Sequence, residues 1–216
     1  MFVHLHCHSH FSFGQGASHP ESLVAAAVAR GYTALACTDT NGVYGAVEFQ
    51  KAAEAAGIRP ILGAHLVYGG EECVVLAEDE RGWATICRMI SAIHWASPSP
   101  SRERGSGGEV IPGGSVLSQH LHDRTGLCVL SNDVPLLERL AVTSGTSGLY
   151  AELRPGKERH AVLAAATRLG IPPVVTGAVM FAHPEEWAKH RLLAAIAGNV
   201  ALSAVESLAA SPPRRL

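Results

Sequence analysis

The stretch HLHCHSHFSF places a histidine at every second position four times, at His4, His6, His8 and His10. Successive side chains of a strand point to opposite faces, so a strand here would put the four imidazoles on one face and Leu5 and Cys7 on the other. Neutral imidazole is a common zinc ligand, and two of them at i and i+2 can bind one ion. An exposed edge strand with hydrated histidines is the alternative, but four histidines in phase favour a metal site.

Length and charge limit the classes of protein that this chain can represent. With 216 residues, 47% of them hydrophobic, the chain can bury one large core, and one domain is the simplest expectation. A net charge of −2 argues against an extended DNA-binding surface, which is usually basic. No apolar run has the length of a membrane span, and the N-terminus lacks the pattern of a signal peptide. We therefore expect a soluble, cytoplasmic protein.

The cysteines argue against a disulfide framework. Their number is odd, no CxxC pair occurs, and they are widely spaced, at Cys7, Cys37, Cys73, Cys87 and Cys128. Cys37 and Cys128 lie in apolar runs, which predicts that both are buried thiols.

Short apolar runs alternate with longer helical patterns along the chain. After the histidine-rich strand, the predicted strands are TALAC, IRPILGAHLVY, ECVVLA, GLCVLS, GLYAEL and PPVVT. Helices are predicted at about 44–56, 81–96, 134–142 and 157–169. Six or seven strands that alternate with helices indicate a mainly parallel α/β sheet or barrel. Parallel strands are apolar throughout, so the residues expected in buried strands are Leu35, Ala36, Val129, Leu130, Val174 and Val175.

Helix starts and domain limits follow from local sequence signals. Ser18 and Glu21 have the spacing of a capping box, and HPEE at 183–186 is predicted to open the last helix. Residues 97–115 are rich in Ser, Pro and Gly, which predicts a flexible loop within a single domain over 1–205. Residues 206–216 are predicted to be a disordered tail.

Asp39 lies where the strand TALAC ends, in the sequence TDTNG. In α/β barrels the chemistry gathers at the carboxyl ends of the strands. Asp39 could therefore orient a histidine or contribute charge at a metal site. An ordinary aspartate turn or helix cap explains the same residue equally well.

A long segment of the chain resembles a known family. HLHCHSHFSF, GASHPESLVAAAVARGYTALACTDTNGVYGAVEFQKAAEAAGIRPILGAHL and, more weakly, TRLGIPPVVTGAVMFAHPEEWAKHRLLAAI resemble the polymerase and histidinol phosphatase (PHP) domain of bacterial DNA polymerase III alpha subunits, especially the error-prone type. The resemblance implies a distorted seven-stranded (β/α) barrel of the TIM-like class. It also implies a site for two or three metal ions that hydrolyses phosphate esters, in some polymerases as a 3′–5′ exonuclease. In other polymerases the domain is degraded and only supports the polymerase.

The resemblance implies metal ligands at some of the family's positions in this chain and not at others. His6 and His8 match the family's first pair, Asp39 is kept beside it, and His65, Glu72 and Asp133 are ligand-capable replacements. We expect Asp39 and His10 to orient these five ligands without binding the metal themselves. Because a closed barrel gathers its strand ends, His6, His8, Asp39 and His65 should share one cavity.

Four other ligand positions of the family hold poor ligands, namely Gln15, Thr40, Ala178 and Met180, and RPGKE lacks the histidine that follows YAEL in the family. Catalytic zinc usually keeps three protein ligands, so His6 and His8 alone are too few. The resemblance therefore implies a degraded site that binds zinc or manganese at low occupancy or not at all.

Two functions remain open from the sequence. One is an interaction module that supports a separately encoded error-prone DNA polymerase in replication or repair, since this chain contains no polymerase motifs. The other is an active metal-dependent phosphoesterase with a rebuilt site. Loss of ligands at Ala178 and Met180 favours the first, and retention of His6 and His8 favours the second.

Overall fold

The computed structural model describes residues 2–96 and 116–208. Six strands form one curled sheet in chain order: β1 (Ala34–Cys37), β2 (Arg59–Tyr68), β3 (Glu71–Ala77), β4 (Leu127–Ser131), β5 (Leu149–Leu153) and β6 (Pro173–Val175). The helices are α1 (Pro20–Ala29), α2 (Ala46–Ala55), α3 (Glu80–Ala96), α4 (Val116–His120), α5 (Val134–Ser144), α6 (Arg159–Leu169), α7 (Trp187–Gly198) and α8 (Leu202–Leu208). This is the expected α/β fold of the TIM-like class. No helix in the described ranges is long and apolar enough to cross a bilayer.

The histidine-rich segment occupies the seventh position of the barrel without forming a regular strand. On one side, the carbonyl oxygens of His4 and Cys7 accept hydrogen bonds from β1 and the residue after it, at 3.0 and 2.8 Å. On the other side, Val179 exchanges two backbone hydrogen bonds with His6 and His8, at 2.9 and 2.8 Å. The prediction of a regular strand was wrong, because these single bonds replace a continuous ladder. The segment nevertheless joins β1 to the chain that follows β6.

The sheet is mainly parallel, as expected, but it contains one antiparallel strand. Strand β3 runs antiparallel to both β2 and β4, while the other neighbouring pairs are parallel. Only Gly69 and Gly70 connect β2 to β3, and their φ angles are +61° and +84°. Two residues with positive φ make a tight hairpin, and a connection this short cannot make a parallel crossover.

The predicted buried strands are largely confirmed. Leu35, Ala36 and Val129 are fully buried and Leu130 is 1% exposed. Val174 is half-buried, and Val175 is 58% exposed, so the prediction for this pair was wrong. Both lie on β6, which is three residues long and stands at the edge of the sheet.

Of the two helix starts predicted from the sequence, one forms as expected and the other does not. Helix α1 begins after His19 without a side-chain cap, so the capping box predicted for Ser18 and Glu21 does not form. The Ser18 hydroxyl instead donates to Glu186 Oε2 at 2.6 Å. The same carboxylate accepts from the backbone N–H of His183 at 3.1 Å and caps the 3₁₀ turn Pro184–Glu186 that leads into α7. The helix start predicted at HPEE is therefore confirmed. The carboxylate of Glu186 also accepts the hydrogen bond of the Ser18 hydroxyl, which is then not the cap of α1.

Two short helices next to the predicted loop and the predicted tail were not expected from the sequence. Helix α4 follows residues 97–115, and α8 continues to Leu208, so residues 206–208 of the predicted tail are helical. The predicted loop 97–115 and residues 209–216 lie outside the described residues, and the domain limits stay a prediction. All five cysteines are free thiols. Cys37 is buried as expected, whereas Cys128 is half-buried, because its side chain reaches a cavity at the inner face of the sheet.

Gly16 allows the loop after the histidines to turn back closely on itself. A methyl group in its place would lie 1.8 Å from the carbonyl oxygen of Ser9. We expect Gly16→Ala to lower the free energy of unfolding by about 1–3 kcal/mol, since a buried overlap must be relieved by moving backbone. Urea denaturation measures this effect. Gly198→Ala, which meets no atom closer than 3.5 Å, is the matched control and should be neutral or slightly stabilising. Equal effects of the two substitutions would contradict the prediction.

Candidate metal centre

Three buried histidines converge at one end of the barrel. His6 and His8 come from the segment before α1 and His65 from β2, and they are 1%, 0% and 5% exposed. The Nε2 atoms of His6 and His8 are 2.8 Å apart, and the ring of His65 lies 4.8 and 5.3 Å from theirs. One ring nitrogen from each residue lies within 4.8 Å of the other two. We call these residues the histidine trio.

Glu152, on β5, fixes the orientation of His6. Its Oε1 atom lies 2.6 Å from His6 Nδ1 and also accepts a hydrogen bond from the Thr176 hydroxyl at 2.5 Å. Burial alone would raise the pKa of Glu152, but its hydrogen bond with His6 and the charge of Arg154 lower that pKa to about 2. An ionised carboxylate only accepts, so His6 carries its proton on Nδ1. The Nε2 atom of neutral His6 then carries no proton and is an acceptor.

Asp39 fixes His8 in the same way, with Ser12 between them. The Ser12 hydroxyl donates to Asp39 Oδ1 at 2.6 Å, so its oxygen accepts from His8 Nδ1 at 2.9 Å. Asp39 also accepts from the backbone N–H and the hydroxyl of Ser9, both at 2.7 Å. His8 therefore turns its Nε2 atom toward His6. Two ring nitrogens 2.8 Å apart must share either a proton or a metal ion.

The pKa of His6 indicates that its own ring does not carry a second proton. Burial lowers this pKa to about 4, although its hydrogen bond to Glu152 and the negative charge of that residue act in the opposite direction. At neutral pH the His6 ring is therefore uncharged and is a competent metal ligand.

His65 completes the donor set. Its Nε2 atom lies 3.2 Å from Glu72 Oε2, so the proton is on that nitrogen. Its Nδ1 atom is buried and makes no hydrogen bond. The hydrogen bond with His65 lowers the pKa of Glu72 to about 2, with burial opposing and Arg154 assisting the shift. A buried, unsatisfied acceptor beside two converging imidazole nitrogens fits a metal ion.

Comparison with known proteins identifies the family. The model of the PHP domain family matches residues 4–144. The chain belongs to the PHP domain family. Error-prone DNA polymerases are 37% identical in Symbiobacterium thermophilum and 35% identical in Anaeromyxobacter dehalogenans strain 2CP-C, over 90% and 82% of this chain. The matches cover 21% and 17% of those relatives, so this chain spans about a fifth of their length.

Solved structures share the fold of this PHP domain. An inferred metal-dependent phosphoesterase from Bifidobacterium adolescentis superposes with a TM-score of 0.54 at 17% identity, over 82% of this chain and 86% of that protein. An amidohydrolase from Chromobacterium violaceum gives a TM-score of 0.57 at 16% identity, over 88% and 96%. The sequence resemblance to the PHP family and the TIM-like fold class are thus both confirmed.

The remaining predicted site residues lie at different distances from the histidine trio of this PHP domain. Glu72 contacts His65 directly, whereas Asp39 reaches His8 through Ser12. Asp133 caps helix α5, where its Oδ1 accepts from the backbone N–H of Leu136 at 3.1 Å. This capping role accounts for Asp133 without a metal ion.

The single imidazole face expected for the four alternating histidines does not form. His10 lies against His19 with ring centres 4.0 Å apart and ring planes tilted by 43°, and His4 packs edge-on against Phe2 and Tyr32. Only His6 and His8 meet, because the irregular backbone turns the outer two histidines away. The ring of His10 contacts those of Phe11 and His19, and the orienting role expected for His10 stays a prediction.

Sequence reasoning missed Glu152 and Arg154. These residues stand two apart at the end of β5 and so share one face of the strand. An acidic residue inside the apolar run GLYAEL, followed two positions later by an arginine, was the available signal. Beyond Arg154 lies a cavity of about 350 Å³, whose lining includes Glu72, Glu152 and the loop at 155–159.

Proposed function

We propose that this PHP domain holds one divalent metal ion at the histidine trio and serves as an interaction module of an error-prone DNA polymerase, with weak or absent hydrolysis of phosphate esters. The observation that carries the proposal is the fixed orientation of the trio. Glu152 and Asp39, the latter through Ser12, fix the rings of His6 and His8 so that their Nε2 atoms face each other in a buried place. Carboxylates behind ligating histidines are a recurring feature of metal sites.

The charges around the trio support a single divalent ion. Three carboxylates contact the trio directly or through Ser12, those of Asp39, Glu72 and Glu152. Arg154 is the cation that contacts two of them. Two negative charges therefore stay unbalanced, and buried unbalanced charge is costly. One divalent ion would neutralise them, and a donor set of three imidazoles suits zinc better than manganese.

Burial supports a structural rather than a catalytic ion. Structural zinc sites are closed, whereas catalysis requires an open coordination position that substrate or water can reach. The trio is at most 5% exposed, and the cavity beyond it is lined by Glu72, Glu152 and Arg154 rather than by the trio. The poor ligands at Gln15, Thr40, Ala178 and Met180 fit the same account, since Gln15 and Thr40 bind each other at 3.1 Å.

The comparisons support the proposed partner. The relatives are error-prone DNA polymerases about five times longer than the matched region, so in them a PHP domain accompanies a polymerase. We propose that this domain contacts the polymerase part of such an enzyme. Mixing the purified domain with that polymerase part should give a complex in analytical ultracentrifugation, and the absence of any complex at micromolar concentration would contradict this step.

Metal binding is tested by removing two ligands together. We expect the metal-free protein to bind one equivalent of zinc and to melt at a higher temperature once zinc is added, because the ion binds only the folded state. The His6→Ala, His8→Ala double variant should bind none and show no increase. Elemental analysis and calorimetric titration give the stoichiometry.

A matched control replaces two exposed histidines, His122→Ala and His160→Ala, and should bind as the parent does. Equal binding by the parent and the His6, His8 variant would overturn the assignment of the site.

Hydrolysis of phosphate esters is the second candidate. It is favoured by the 350 Å³ cavity, because Glu72 and Glu152 line this cavity and also contact the trio. The assay uses zinc and manganese with p-nitrophenyl phosphate and with single-stranded DNA. Metal-dependent turnover that disappears in the His6, His8 double variant would establish the phosphoesterase and overturn the purely structural role.

A further inference from the structure

Arg154 connects the two glutamates that support the histidine trio. Its Nη1 atom lies 2.7 Å from Glu72 Oε1, and its Nε atom donates to Glu152 Oε2 at 2.7 Å. Each glutamate uses its other oxygen for a histidine, Glu152 for His6 and Glu72 for His65. The guanidinium thus bridges the two carboxylates that hydrogen-bond to the trio, and the Arg154 side chain is only 13% exposed.

Two carboxylates that converge in a largely buried place require a positive charge between them. Glu152 is fully buried and the Glu72 side chain is 32% exposed, so water screens their repulsion poorly. Carboxylate oxygens are also the ligands that manganese and magnesium prefer. Such a pair can be neutralised either by a fixed guanidinium, which never loses its proton in proteins, or by a second metal ion.

We propose that Arg154 takes the place of a second metal ion, so that this site, if it binds metal as proposed above, binds one ion and not two. The inference rests on the proposed metal site and specifies its stoichiometry. Arg154 already satisfies the oxygens of Glu72 and Glu152 that face away from the histidines. A second ion would have to displace a bonded guanidinium and then bind beside its positive charge.

The decisive substitution is Arg154→Met, which keeps the unbranched apolar part of the side chain and removes the charge. We expect this variant to bind two ions, one zinc at the trio and one manganese between the glutamates, against one zinc for the parent. Calorimetric titration measures the stoichiometry, and elemental analysis gives an independent count. Arg154→Lys keeps a positive charge and should remain at one. Adding Glu72→Gln to Arg154→Met should return the count to one, because the second ion then loses a carboxylate.

Arg139→Met is the matched control, since Arg139 pairs with Glu71 next to Glu72 in sequence but on an exposed surface. It should bind as the parent does. Circular dichroism checks folding, and Arg154→Gln, a neutral residue that still donates to a carboxylate, replaces Arg154→Met if the latter does not fold. A count of one in both neutral variants would overturn the role of Arg154.

The outcomes separate this inference from the proposed function. One equivalent in both the parent and Arg154→Met leaves the metal site standing and refutes the role of Arg154. No metal in the parent but binding in Arg154→Met refutes the native metal site and supports exclusion of a cation by Arg154. No binding in either protein refutes both.

Discussion

Replacing Glu152 with alanine is expected to lower the free energy of unfolding of the metal-free protein by about 3–5 kcal/mol, because removing one member of a buried, hydrogen-bonded ion pair leaves its partners uncompensated. Glu152 is fully buried and accepts from His6, Arg154 and Thr176 at 2.5–2.7 Å. In the alanine variant the His6 N–H and the Thr176 hydroxyl would lose their acceptor in the interior of the barrel. Urea denaturation with chelator present measures the change.

Two variants separate the role of this carboxylate from a general effect of losing an acid. Glu138→Ala removes a glutamate whose side chain is 41% exposed and pairs with Arg168 on the surface, and it should cost less than about 1 kcal/mol. Glu152→Gln keeps an acceptor for one hydrogen bond and should fall between the two. If Glu152→Ala destabilised the protein no more than Glu138→Ala, Glu152 would not be the residue that organises this end of the barrel.

Most elements of the fold follow from local patterns. Continuous apolar runs identified β1, β4 and β5, and helical periodicity identified α3 and α6, because these segments bury one face or both in the same core. The direction of β3 was missed, although the Gly69–Gly70 pair between two strands is the sequence mark of a hairpin. The capping box at Ser18 was predicted wrongly for another reason. Its competitor, Glu186, is 168 residues away, and no local signal reveals it.

The site was predictable only in part. The resemblance identified His6, His8 and His65, and the structure brings these three together. A strict two-residue alternation also included His4 and His10, but alternation holds only for a regular strand and this backbone is irregular. Asp133 was assigned by matching positions, whereas in the fold its carboxylate caps a helix. Glu152 and Arg154 were missed because their importance arises from contacts across the barrel with His6 and Glu72.

These contacts suggest how a barrel can retain its shape after losing metal ligands. In this chain Arg154 neutralises part of the negative charge of the carboxylates around the site. The residues that support the trio therefore contribute to folding whether or not an ion is bound. The free energy of unfolding and the affinity for metal should therefore depend on the same groups, and both should change with pH.

Lowering the pH from 6.5 to 4 is expected to reduce the free energy of unfolding of the metal-free protein, with His6 contributing about 3 kcal/mol. Burial holds the pKa of folded His6 at about 4, against 6.5 for the free side chain. Between these values the unfolded chain binds a proton that the folded protein does not, so acid favours unfolding. Below pH 4 both states are protonated, and the contribution of His6 no longer changes. Urea denaturation at pH 7, 6 and 5 in the presence of chelator measures the slope.

The pH window assigns the effect to histidine rather than to the carboxylates. Glu72 and Glu152 have pKa values of about 2, below the ordinary 4.5, so their contribution is lost only as the pH falls below about 4.5. The pKa of His4 is also lowered by burial, and this residue adds to the slope above pH 5. His6→Asn should therefore remove the largest share of that slope, and His160→Asn, at an exposed position, should leave it unchanged. An unchanged slope in His6→Asn would show that His6 is not held neutral by its burial. Added zinc should shift the loss of stability in the parent to lower pH, because a bound ion competes with the proton for the same ring nitrogen.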